Sequence, residues 1–421
     1  MTVKKIIGQI HLWLGLASGL VVVILGITGC IYVFIDEIRP LVYQDRMFVE
    51  SEQSARMPLS ELASVAQDAV EPTQSIRGVT VYNDPERTVQ FNGYKALDEP
   101  QGIWFWDEID YNFNLYLDPY TGTVSKLENR TFEFFNLVLW LHWSLFLRND
   151  IGQPIVGIAV IIFVISLITG LVLWWPRNKA AAKQRVWFRW KSTTRWKRKN
   201  YDLHNIAGFY TMILALLIAL TGLVWAFDWF EDGVKWLANG GKTIEKKAAV
   251  ASDTTQITAQ YPLDKVYQNV RKDYPEAKSY YLSFPQEAAA TYYVYIRGAG
   301  VTERVTAQYD QFTGERLELS TFSDKTNGEK IRSLNYDIHV GSILGLPGKI
   351  LAFLASLVSA SLPITGFYIW WGRRKKKAKK RPVQTANRPA AKRAPRAKPA
   401  HIRPKVKGLS PTRSGVPSSA D

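Results

Sequence analysis

The sequence predicts a membrane α-helical protein with four transmembrane helices from a tandem duplication and two α+β domains outside the bilayer. Three observations predict it. Four runs without charged side chains, 6–35, 151–176, 203–227 and 350–372, each reach the roughly 20 residues that cross a bilayer. Polar insertions of about a hundred residues, each enough for a small domain, separate the first run from the second and the third from the fourth. Short motifs in the first half recur in the second at offsets of 192–197 residues.

The first segment, 1–35, carries "HLWLGLASGLVVVILGITG" from His11 to Gly29, and 203–227 carries "HNIAGFYTMILALLIALTG" from His204 to Gly222. In each, Gly follows His by four residues and Thr-Gly closes the run. At about 100° per residue, His204, Gly208, Thr211, Ala215, Ala219 and Gly222 share a helical stripe, as do His11, Gly15, Ser18, Val22, Gly26 and Gly29. One imidazole thus heads a stripe of mostly small residues. At membrane depth an imidazole is costly unless bound, and the small residues leave room for a flat, bulky partner. Haem is the expected one.

The first insertion, 36–130, carries 17 acids against 8 bases. It predicts a helix over 59–70, alternating strands in "GVTVYN", "TVQFNGY" and "NLYLD", and a turn from Pro119 to Gly122. In 131–176 an aromatic helix over 131–147 bears His142, and a break at 148–154 precedes the second span. That span ends in Thr169-Gly170 and Trp174-Trp175. A basic loop follows, 177–202, with ten Lys/Arg and no acid from Arg177 to Lys199.

After the third span, the insertion 228–330 reads like the first, with a helix over 263–271, strands in "YYLSF", "TYYVYIR" and "RVTAQYD", and a turn ending at Gly314. The segment 331–372 brings His339, four breakers at Gly341, Gly345, Pro347 and Gly348, then a span with Thr365-Gly366 and Trp370-Trp371. The Trp pairs read as interface anchors, and "LDPYTG" and "YDQFTG" as turns. The tail, 373–421, holds 17 Lys/Arg and one acid, which accounts for the whole net charge of +16. Its Pro, Ala and Lys content predicts disorder, and its place after a span predicts attraction to anionic lipid; no motif accompanies it that recognises nucleic acid.

The same charges set an orientation. Lys4-Lys5, the 177–202 loop and the tail put both termini on the cytoplasmic face, with the insertions outside or in the periplasm. The single cysteine, Cys30, permits neither an intrachain disulfide nor a thiolate metal cluster. "ITGC" resembles a lipoprotein cleavage site, but the apolar run continues past it and its second copy lies mid-chain, so the first run is read as a retained span.

Four of the five histidines hold repeat-equivalent places; His401 is in the tail. His11 and His204 fall near the cytoplasmic edge, His142 and His339 near the outer edge. Haem iron takes two axial imidazoles from opposite faces, so an axis relating the copies predicts one ligand from each copy at each level. With no C-x-x-C-H the attachment is noncovalent, which means two haem b. Zinc or copper is a poorer match, because two histidines without carboxylate or thiolate are a thin ligand set.

The combination "YDLHNIAGFY", "LHWSLFL", "IGQPIVG", "DIHVGSILGLPGK", "TGLVLWWPR" and "TGFYIWWG" resembles the PepSY-associated transmembrane family, often called iron-regulated membrane proteins. The resemblance covers residues 1 to about 375 and implies two PepSY-like periplasmic domains. It also implies a ferric-siderophore reductase of the inner membrane, with His11, His204, His142 and His339 as the family's four histidines. No dinucleotide fingerprint is present, so the donor is expected to be a membrane quinol or a separate cytoplasmic reductase. The acceptor is expected to be a ferric siderophore or other ferric chelate, docked near Trp104, Trp106 and Trp229. Two other readings stand beside this one: a non-catalytic PepSY protein that binds or regulates a periplasmic partner, and a transporter of parallel repeats, against which the charge-free spans count.

Overall fold

The computed structural model describes residues 2–50, 55–176, 178–245, 248–256 and 261–379. Four of its helical stretches are long and apolar enough to cross a membrane: Val3–Tyr32, Asn149–Trp174, Trp196–Ala226 and Ser342–Arg374. In chain order the elements used below are α1 (Val3–Tyr32), α2 (Ile35–Val42), α3 (Leu59–Asp68), β1 (Gly78–Tyr82), β2 (Val89–Ala96), β3 (Ile109–Leu117), β4 (Val124–Asn129), α4 (Phe134–Ser144) and α5 (Asn149–Trp174). Then come α6 (Gly208–Ala226), α7 (Asp228–Ala238), α8 (Pro262–Asp273), β5 (Ser279–Ser283), β6 (Thr291–Arg297), β7 (Arg304–Asp310), β8 (Arg316–Ser320), α9 (Asn327–His339) and α10 (Gly345–Lys379). The same order runs twice: a long helix, a shorter one, a helix, four strands, a helix, a long helix.

The bundle closes where small residues let backbones approach. A Cβ on Gly26 of α1 would sit 2.7 Å from both the Ala360 Cβ and the Ser356 carbonyl of α10, so only glycine permits that crossing. α10 continues as far as Lys379, several residues beyond the expected start of the tail; the rest of the tail, including His401, lies outside the described residues.

Each insertion contributes a helix and a four-stranded meander, and the eight strands form a single antiparallel sheet, ordered β4-β3-β2-β1-β5-β6-β7-β8. The sequence predicts two separate sheets. The strands merge because β1 and β5 are short, β-rich and apolar on one face, and each would otherwise leave a row of unpaired backbone groups at an edge. They pair in register as Val79↔Leu282 and Thr80↔Tyr281. The apolar faces of both halves form one core under α3 and α8, with Leu62, Ala66, Phe91, Leu115, Val266, Val270, Tyr280 and Leu282 all fully buried. The Ser60 amide donates to Asp264 Oδ1 at 2.9 Å, tying the two helices together. Leu282→Ala is expected to lower stability by about 2–5 kcal/mol and to loosen both halves together, seen as one shifted transition in chemical unfolding of the detergent-solubilised protein.

Two strands, β4 and β8, are absent from the sequence reading. Both are sheet edges with charged side chains; "VSKLEN" lacks the alternation that marks a half-buried strand, and "RLELS" alternates but is only five residues long. Trp174 also differs from its reading as an anchor: it is buried and stacks on Phe209 at 3.6 Å, while Trp175 is exposed.

Polar contacts dock the sheet on one end of the bundle, here the sheet side. Lys349, at the start of α10, reaches both carboxylate oxygens of Glu37 at 2.9 Å, and Arg297 of β6 pairs with Asp36 at 3.4 Å. Arg304 of β7 makes a two-point ion pair with the buried Asp337 of α9, at 2.7 and 2.8 Å.

Candidate functional site

α4 and α9 carry the two sheet-side histidines, and each starts at a built N-cap. The Glu133 carboxylate accepts from the Phe135 and Asn136 amides and from the Tyr43 hydroxyl at 2.6 Å. Thr326 and Glu329 form a reciprocal capping box at the start of α9. Beyond His142, α4 is stopped by two non-glycine residues in the left-handed region, Leu145 and Phe146. The Phe105 amide donates to the Phe146 carbonyl at 2.8 Å, and the Phe105 ring stacks on Trp140 at 4.5 Å, so loop 101–108 clasps that strained end. After α9, Gly341 takes the equivalent left-handed position.

At the far end His11 lies on α1, while His204 lies in a single π-helical turn, Leu203–Ala207, that leads into α6. Asn200, just before it, donates to the Thr365 carbonyl at 3.0 Å.

The four histidines come together in two pairs. The rings of His11 and His204 are 6.3 Å apart between centroids, those of His142 and His339 6.2 Å, and each pair is inclined at 79°. Both are the pairs expected from the sequence.

A threonine meets the Nδ1 of each ring. His142 meets Thr28 Oγ1 at 2.8 Å and His339 meets Thr221 at 2.9 Å; His11 meets Thr169 at 3.1 Å and His204 meets Thr365 at 3.0 Å. Every one of these threonines donates its own proton backwards to a carbonyl of its helix, for example Thr28 to Ile24 at 2.7 Å and Thr221 to Leu217 at 2.9 Å. Thr169 and Thr365 do the same to Ile165 and Ser361. With that proton spent, the oxygen accepts from the imidazole, so the ring proton sits on Nδ1. At the far end the assignment is doubly fixed, because the carbonyls of Ser166 and Leu362, pure acceptors, also lie 3.1 Å from the Nδ1 of His11 and His204. Among the described residues, no hydrogen-bond partner meets the Nε2 of any of the four rings.

The glycine after each threonine completes the holder. A Cβ there would lie 3.2 Å from the ring at Gly170 and Gly366 and 3.6 Å at Gly29 and Gly222. The four Thr-Gly pairs therefore grip the four histidines, each within its own half of the chain, while the two histidines of a pair come from different halves. The sequence shows the recurrence of Thr-Gly in every span but not its purpose, since the contact joins residues more than a hundred positions apart.

Between His142 and His339 lies a cavity of about 250 Å³ bounded by all four spans. Single-water voids are far smaller, so this is built space. Its wall is mostly apolar, with Leu25, Val156, Phe163 and Ile218 among the lining residues, and Gly26, Gly29, Gly157 and Gly222 widen it.

Haem fits these residues. Two metal–imidazole bonds of about 2 Å with half a ring at each end span roughly 6 Å, which is the spacing both pairs show. Among the described residues no group of three His, Cys, Asp or Glu could hold a metal ion, so each pair suits an iron that brings its other four ligands with it. Trp104 and Trp106 stack at 5.5 Å, and Trp229 groups with Phe227 and Phe230.

Comparison with protein-family models matches residues 9–373 to the family described as PepSY-associated TM region. No curated protein matches the chain.

Proposed function

The chain belongs to the PepSY-associated TM family, and from that premise we propose that it is a di-haem b oxidoreductase of the cell inner membrane, passing electrons to a periplasmic ferric chelate. One observation carries this reading: two imidazole pairs at opposite ends of one bundle, each ring with Nδ1 committed to a threonine and, among the described residues, no hydrogen-bond partner at Nε2. Haem held by each pair supplies reversible one-electron chemistry at two depths, which is what electron passage between two faces requires.

The protein's own residues do the rest. Each Thr–His contact fixes the ring's tautomer and orientation and makes Nε2 more basic. The mostly apolar wall of the sheet-side cavity would exclude water there. In this reading the duplicated unit is what delivers one ligand from each copy, and the basic 177–202 loop, both termini and the tail lie in the cytoplasm. The sheet, with its PepSY-like halves, then faces the periplasm. A loop of that length holds no flavin or nicotinamide domain, so electrons come from a membrane quinol or a separate reductase. The stacked Trp104 and Trp106 offer the sheet-side dock for a ferric siderophore or similar chelate. One electron converts its Fe(III) to Fe(II), for which hard oxygen ligands hold less strongly, and the metal is released for uptake. The tail would rest on anionic lipid.

The test is a reduced-minus-oxidised absorption spectrum of protein made with ample haem, with a pyridine haemochrome count. Two b-type haems per chain are expected. A count of zero sinks the reading and returns the histidines to structural roles.

A further inference from the structure

The sheet-side cavity is symmetric in its histidines and asymmetric in the side chains around them. Tyr32, Leu139, Trp225 and Tyr336 all line it. Tyr32 and Trp225 occupy equivalent places in the two halves, 193 residues apart like His11 and His204. Leu139 and Tyr336 are equivalent too, 197 apart like His142 and His339. At each place one half supplies a phenol and the other an apolar group.

The two phenols are neighbours. Tyr32 and Asp36 lie within electrostatic reach of the Tyr336 phenol, a side chain that is 38% exposed and, like any phenol, a proton donor at neutral pH. The Trp225 ring lies 5.2 Å from that of His339, and an axis relating the halves would set Trp225 and Leu139 opposite the two phenols. Among the described residues neither the Tyr32 nor the Tyr336 hydroxyl has a hydrogen-bond partner. Of the cations nearby, Lys349 is matched by Glu37 and Arg297 by Asp36, while Arg39 and Arg130 also lie within electrostatic reach of Tyr32 and the Arg39 Nε is buried without a partner among the described residues. The cavity therefore has two phenols along one edge and, along the other, an indole and a leucine, with the Gln153 amide tied to the Trp225 carbonyl at 2.7 Å.

A b-type porphyrin has the same asymmetry, with two propionates along one edge and apolar substituents along the opposite one. We propose that Tyr32 and Tyr336 hydrogen-bond the propionate edge of the porphyrin held by His142 and His339, while Trp225 and Leu139 receive its apolar edge. The assignment rests on the di-haem reading. It fixes the in-plane orientation of one haem by a difference between the two halves, where the histidines alone leave two orientations equivalent.

The experiment reconstitutes full-length haem-free protein in detergent with iron protoporphyrin or with its dimethyl ester, whose propionates can no longer accept as anions, and follows binding by absorption. The unmodified protein should bind the ester at the sheet-side pair at least tenfold more weakly than haem, the range expected from hydrogen bonds to charged groups. In Y32F/Y336F, which keeps both rings, that preference should fall towards one. The second haem, at His11 and His204, reports that the variant is folded. Equal binding of haem and ester by the unmodified protein, or an unchanged preference in the variant, overturns the assignment while leaving the di-haem reading intact. Failure of the unmodified protein to bind either compound overturns both.

Discussion

Replacing His204 with alanine is expected to halve the haem content, from two per chain to one, and to stop electron passage through the bundle. The alanine removes one of two ligands at the far end, where the His11 and His204 rings are 6.3 Å apart and nothing else among the described residues offers a third donor. The sheet-side pair hangs from different threonines, Thr28 and Thr221, so it should keep its haem. A pyridine haemochrome count and a reduced spectrum of His204→Ala measure this directly, and reduction of a ferric chelate in membranes should fall to background. Two haems remaining, or none, would break the pairing.

Thr221→Val carries the second large effect. Valine matches threonine in shape but takes away the oxygen that accepts from the His339 Nδ1–H at 2.9 Å. Outer-shell partners of metal-bound imidazoles are worth about 10–100-fold in affinity, so haem at the sheet-side pair should be lost more readily by that factor. The far pair is the internal control. Thr221→Ser restores the hydroxyl and should recover most of the loss, which a purely packing role for the side chain would not produce. Haem release to a scavenging apoprotein gives the rates.

The sequence displays its long-range plan unusually well, because the plan is written twice. Apolar length marks the four spans, and the similar offsets of His11/His204 and His142/His339, 193 and 197 residues, match the pairs that the fold brings together. Strands such as Thr291–Arg297 and Arg304–Asp310 are legible from alternation, since one face is buried and the other is not. What stays hidden depends on partners distant in sequence. Nothing in "GVTVY" says that its neighbour will be "SYYLS" two hundred residues later, and a threonine that bonds its own helix shows no local mark of the remote imidazole it also meets. The edge strands are silent for a different reason: β4 has almost no buried face and so needs no pattern, and β8 alternates over only five residues.

The pairing of β1 with β5 means that the two halves meet through the same strand, antiparallel and self-complementary, as identical subunits do across a two-fold axis. Seen as an assembly, the molecule is a pseudo-homodimer whose subunits are fused in one chain. Each subunit carries its own grips for two histidines and completes neither histidine pair by itself. Fusion fixes the partner and its stoichiometry, and it lets the halves diverge at chosen positions, as Tyr32 and Trp225 have, which a dimer of identical chains could not do.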